Sequence, residues 1–225
     1  MAEPRKETDD VSGAARPAEG DSPPDEANPS EAVFETEDAP DVVGPPPAQV
    51  AELAAACARF VATRYGAALD FAPDTLSFVD HWLREARVDL VERPEAAEVV
   101  QASAGAYLGE VIRGAFGGHW VAEGHHSEWR LELERVYCAF NPIGMAREAL
   151  LLEPAEGWHA HFELDPGERE AIDARLAALP QVDDEEFYAP TTRFDVVSIV
   201  FEALRDGMRA RGLADVRFTP DDYER

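Results

Sequence analysis

The sequence predicts an α+β fold, about six helices packed on a small antiparallel sheet of three to four strands. Two changes of apolar period and one change of composition along the 225 residues carry that prediction. Apolar residues recur at three and four before residue 117 and again late in the chain, and they alternate in between. Residues 1–46 follow neither period.

That first segment holds 13 acids against Arg5, Lys6 and Arg16, and 8 of the 17 prolines. Its only bulky apolar pairs are Val33–Phe34 and Val42–Val43. Too little apolar surface is present to offset the entropy of ordering it, so 1–46 reads as a disordered acidic tail. Glu31–Asp38 is the one stretch in it that resembles a short recognition element. Pro45-Pro46-Pro47 then forms a stiff joint to a folded α+β domain over 47–225.

Val50, Leu53, Cys57, Phe60 and Val61 have helical spacing, and Gly66 is a stop. A second helix opens at Pro73-Asp74, with Leu76, Val79 and Leu83 on one face and Phe78 and Trp82 beside it. A third runs from about Pro94 to Phe116, where Gly117-Gly118 halts it.

The period then becomes two. His119–Glu123 is a short strand and Gly124-His125-His126 the turn after it. Trp129, Leu131 and Leu133 alternate with Arg130, Glu132 and Glu134, which places the charged set toward solvent. Val136–Phe140 continues this strand or forms another after a bulge. Asn141-Pro142 is a helix opening, an N-cap followed by proline at the first helical position. Trp158–Leu164 alternates again and reads as a further strand. Asp165-Pro166-Gly167-Glu168 caps a helix carrying Ile172, Leu176 and Leu179. Thr192 and Asp195 have capping-box spacing for a last long helix with Phe194, Val197, Phe201, Leu204 and Met208 in a stripe.

Composition narrows the function classes. The chain carries 46 acids and 20 bases, a net charge of −26, with −16 left on 47–225. That excludes nucleic acid and anionic membrane as natural partners and favours a basic protein. No secretory signal is present, and no window approaches the ~18 apolar residues that span a bilayer, so the expected location is cytoplasmic. Cys57 and Cys138 read as buried thiols. A single lysine against 19 arginines indicates a high-GC, bacterial coding bias. Phosphate loops, dinucleotide turns, zinc-peptidase helices and the serine nucleophile elbow are all missing. No cofactor is implied.

Four features carry candidate chemistry. Glu110 lies in an apolar helix stretch beside Gly105 and Gly109, which sit one turn apart and let another backbone approach. It reads either as a buried general acid or base, or as an ion pair with Arg113. His159 and His161, two apart on the expected strand, share a face and are weak metal candidates, with His119, His81 or a nearby carboxylate as a third ligand. Set on the solvent side, they leave Trp158, Ala160 and Phe162 inward. Gly109, Glu110, Trp120 and Trp129 are the candidate binding residues. Asp183–Glu186 and Asp221-Asp222 lack the register of a calcium loop and read as solvated loops.

Tyr107-Leu108-Gly109-Glu110-Val111, Gly117-Gly118-His119-Trp120 and Asn141-Pro142 together resemble a motif set of small uncharacterised bacterial α+β proteins. The set comprises a Tyr-x-Gly-Glu-Val helix, a Gly-Gly-x-Trp strand start and a later Asn/Asp-Pro. The resemblance covers about a third of the chain and implies one structural constellation of Gly109, Glu110, Gly118, Trp120 and Pro142. It implies no activity.

The expected function is a non-enzymatic protein-interaction or regulatory protein, an adaptor or immunity-like binder of a basic partner. One alternative is a small metal-dependent hydrolase using Glu110 and the strand histidines. Another is a subunit of a larger assembly with the Phe194–Met208 stripe as its contact surface.

Overall fold

A computed structural model describes residues 44–224. The expected disordered tail, up to residue 43, and the Glu31–Asp38 element lie outside the described residues.

Helix α1 (Ala48–Tyr65) ends on Gly66 in the left-handed region at φ 69°, the conformation a side chain resists. A 3₁₀ turn at Pro73–Thr75 leads into α2 (Leu76–Glu92), and a second at Pro94–Ala96 into α3 (Ala97–Phe116). The two 3₁₀ turns stand at the openings expected for the second and third helices, and α1 and α3 end at the expected Gly66 and Gly117. Every residue of α3 from Gln101 to Gly109 is buried, so α3 is the axis of the fold. Tyr107 fixes the loop before α2: its hydroxyl accepts from Phe71 N at 2.9 Å and sits 2.7 Å from Thr75 Oγ1.

The sheet is an antiparallel meander, β1 (His119–Val121), β2 (Arg130–Glu132), β3 (Cys138–Phe140) and β4 (Glu163–Leu164), in that spatial order. Register places Trp120, Leu131 and Phe140 in one row and His119, Glu132 and Ala139 in the row on the opposite face. The first row is buried in the core. The second is also buried or half-buried, which corrects the solvent-facing reading of Glu132.

The reason lies at the end of the described chain. Phe218 N donates to Glu134 O at 2.7 Å. Helix α8, a single turn at Pro220–Tyr223, sets the Tyr223 hydroxyl into the β2–β3 connection. That hydroxyl accepts from Cys138 N at 3.0 Å and donates to Leu133 O at 2.8 Å. The Tyr223 ring stacks on Tyr137 with centroids 4.6 Å apart. A segment remote in sequence therefore covers the face that alternation assigns to water.

Helix α4 (Pro142–Leu151) joins β3 to the segment before β4, and α5 (Pro166–Ala177) follows β4. Both begin as expected: Asn141 accepts from Ile143 N and Gly144 N, and Asp165 from Gly167 N. The strand expected over Trp158–Leu164 shrinks to two residues. Trp158 to Phe162 is irregular, His159 has φ 50°, and only its carbonyl joins β3's end, accepting from Asn141 N at 2.9 Å. A left-handed residue breaks the pleat, and a side chain at Gly144 would meet Trp158 O, so this segment packs on α4 instead.

The acidic stretch expected as a solvated loop contains α6 (Asp184–Phe187), capped by Asp183. Likewise Asp222 completes the Thr219 capping box of α8. With these two short helices the described residues hold eight α-helices. The last long helix, α7 (Pro190–Ala210), starts before the expected Thr192–Asp195 box, with Pro190 as its first residue. Its cap comes from another helix: Asp80 on α2 accepts from Thr191 N at 3.2 Å and Thr191 Oγ1 at 2.6 Å. On α7, Val197, Phe201, Leu204 and Met208 are buried, and Phe116 stacks on Phe194 and lies tilted against Phe201. Most of the stripe packs into the core.

Candidate functional site

Of the expected constellation, Gly109, Glu110, Trp120 and Pro142 come together around α3 and the start of α4, while Gly118 lies against Glu132 O on β2. A side chain at Gly105 would run into Ile143 Cα and Pro142 O, and one at Gly109 into the Trp120 indole and Pro142. The two glycines thus give the groove in which α4 and Trp120 lie. Trp120 Nε1 donates to Glu110 Oε1 at 2.8 Å. Arg113 Nε and Nη2 donate to the two Glu110 oxygens at 2.8 and 2.6 Å, a bidentate pair one turn along the helix. Arg113 Nη1 then donates to Gly44 O at 2.7 Å. Both oxygens of Glu110 are engaged by donors of this chain, in a structural tie between α3, β1 and the segment entering α1.

Trp129 is separate from this group. It is buried, with its ring edge-on to His126 at 4.7 Å. With His159 and His161 it lines a polar cleft of about 690 Å³ whose walls also carry Glu128, Arg130 and Arg169. His159 and His161 are both exposed, on the irregular segment rather than a strand, while Ala160 between them is buried. Burial still alternates there, so the inward set is the apolar one. Among the described residues no group of three or more His, Cys, Asp or Glu is placed to hold a metal ion. Cys57 and Cys138 are free and buried; burial pushes the Cys57 thiol up to about 12 and the Cys138 thiol in the same direction.

Two charged centres escaped the sequence reading. Glu132 is fully buried on β2; Arg130 Nε donates to its Oε1 at 2.6 Å, and His119 Nε2 lies 3.0 Å from its Oε2. Nothing in the alternating pattern marks it, because its cover comes from residues 218–223. Glu148 on α4 is also buried. It accepts from Ala155 N at 3.2 Å and from Arg193 Nη2 at 2.7 Å. The Arg193 guanidinium lies over the Phe187 and Tyr188 rings, at 4.6 and 5.0 Å from their centroids. Burial lowers the Arg193 pKa, opposed by the Glu148 charge. Here the sequence did hold a signal. Asn141, Met145 and Glu148 recur at four and three, on the inner face of α4.

A pattern connects these centres. Arg113, Arg135 and Arg205 are buried and Arg193 nearly so; Arg113, Arg193 and Arg205 donate to carboxylates or backbone carbonyls inside the fold, one of them the Arg135 carbonyl. At the surface, exposed acids outnumber exposed arginines by more than two to one. Cations are spent in the interior and anions are left in water. None of the helices described is long and apolar enough to cross a membrane. Compared with known proteins, the chain matches no family model, no curated protein and no solved structure. The resemblance to small bacterial α+β proteins rests on its motif residues alone.

Proposed function

We propose that this protein is a non-enzymatic binding protein whose acidic surface recognises a basic protein partner. The observation that supports it is the partition of charge just described. Interior arginines are committed to Glu110, Glu148 and main-chain carbonyls, and the acids outside have few cations of their own chain to meet. A surface potential of one sign steers a partner of the opposite sign and discriminates against the rest.

The full chain, immobilised and exposed to native lysate, is expected to retain a small set of basic proteins at ~0.1 M salt and release them as screening increases. An unrelated acidic protein of similar net charge serves as the control surface. Retention of the same set by both surfaces, or of none by this chain, overturns the proposal.

A further inference from the structure

The larger apolar groove between α5 and α7, about 770 Å³, mixes Arg169 and Arg193 with Asp173 and Asp195 in its walls and selects no occupant. A second groove does select one. It measures about 470 Å³ and lies between β4, the start of α5, the end of α7 and residues 211–222. Leu204 and Met208 are buried in it, Tyr137 and Phe218 are half-buried with their rings edge-to-face at 5.7 Å, and Leu213 and Val216 stay 42% and 36% exposed.

Its charged wall is acidic. Glu163, Asp165, Glu168 and Asp222 line it, against one cation, Arg211. That arginine is taken: Nη1 lies 2.6 Å from Glu168 Oε1. Asp222 is occupied by the Thr219 capping box. Asp165 uses Oδ1 to cap α5, and among the described residues neither it nor Glu163, exposed on β4, is paired with a cation. Two carboxylates without cations thus stand over an apolar, partly aromatic floor that water still reaches.

Resting on the reading of this protein as a binder of a basic partner, we infer that this groove takes an arginine-bearing segment of that partner. Arginine matches each part of it. Its aliphatic stem covers Met208, Leu213 and Val216, its planar head stacks on Tyr137 or Phe218, and its forked donors meet Glu163 and Asp165. Lysine, with a compact and strongly hydrated head, satisfies the charge but not the stack.

The test uses the full chain and three dye-labelled peptides, Arg-Leu-Arg-Leu-Arg and its lysine and citrulline counterparts, followed by fluorescence anisotropy at fixed salt. The double variant Glu163→Gln, Asp165→Ser removes both charges and keeps a hydroxyl to cap α5. Glu92→Gln, Glu95→Gln removes the same charge from exposed sites far along the chain. The arginine peptide is expected to weaken at least tenfold with the first variant, at least fivefold with Leu213→Ser, Val216→Ser, and less than twofold with the second charge pair. The citrulline peptide should not bind.

Equal weakening by both charge variants overturns the groove and leaves the acidic-surface reading standing. Equal affinity for the lysine peptide overturns the choice of arginine. If the lysate capture retains no basic protein, the broader reading fails, and the peptide comparison still decides the groove.

Discussion

The two sides of α4 treat charge in opposite ways. On the side of α3 and α7, Glu110 and Glu148 are held within hydrogen-bond reach of Arg113 and Arg193, and glycines let the elements meet. On the side of residues 152–187, most acids are exposed, the backbone from 152 to 162 is irregular, and grooves of about 690 and 770 Å³ remain open. Structure and partner choice can therefore be selected separately on the two sides. A buried carboxylate has to be paired or the fold suffers, whereas an exposed one costs little and is available to a ligand.

That contrast can be broken from its rigid side first. Glu148→Ala leaves the Arg193 guanidinium buried without its counter-ion, and unfolding in urea should show a loss of about 3–5 kcal/mol. A loss under 1 kcal/mol would mean that Arg193 finds water or another anion. Gly109→Val forces a side chain into Trp120 and Pro142, and about 1–3 kcal/mol should disappear from the same measurement. Unchanged stability there would show that α4 can slide.

Two smaller effects sharpen it. Burial holds the His126 pKa below the ordinary 6.5, against the opposing pull of Glu98. The unfolded chain therefore binds more protons in the window just under 6.5, and stability rises with pH through that window. His126→Gln should flatten this part of the pH profile of thermal unfolding; an unaltered slope assigns it to other groups. Smallest of all, Glu163→Gln on the open side should leave stability within about 0.5 kcal/mol. A larger loss would make Glu163 a structural residue and remove it from the groove.

The same division sets what was legible in the sequence. Helices α1 to α3 were readable because their buried faces recur at three and four, and because Gly66 and Gly117 stop the first and third. The spacing of Gly105 and Gly109, one helical turn apart, asked for a close neighbour, while that Trp120 and Pro142 fill the place came only from the resemblance, which also put Gly118 in the group. Glu132 was not, because a pattern of period two says which residues share a face but not what later covers it. The start of α7 was missed for a related reason: its cap is Asp80, some 111 positions away, and local capping rules cannot see it. The strand expected over Trp158–Leu164 was overread because alternation of burial survives in a segment whose hydrogen bonds do not form a ladder. Trp129 keeps company with the histidines and not with Trp120, a grouping that only the turn at 124–128 decides.

The Tyr223 clasp has a consequence in time. Its hydroxyl meets Cys138 N across 85 positions of chain. At a synthesis rate of ~5–20 residues per second, β1 to β3 would leave the ribosome roughly 4 to 17 seconds before the residue that seals them. During that interval Glu132 and His119 face water, and the row intended for Tyr223 is open to any other aromatic side chain. The nascent domain must wait with its last seam undone.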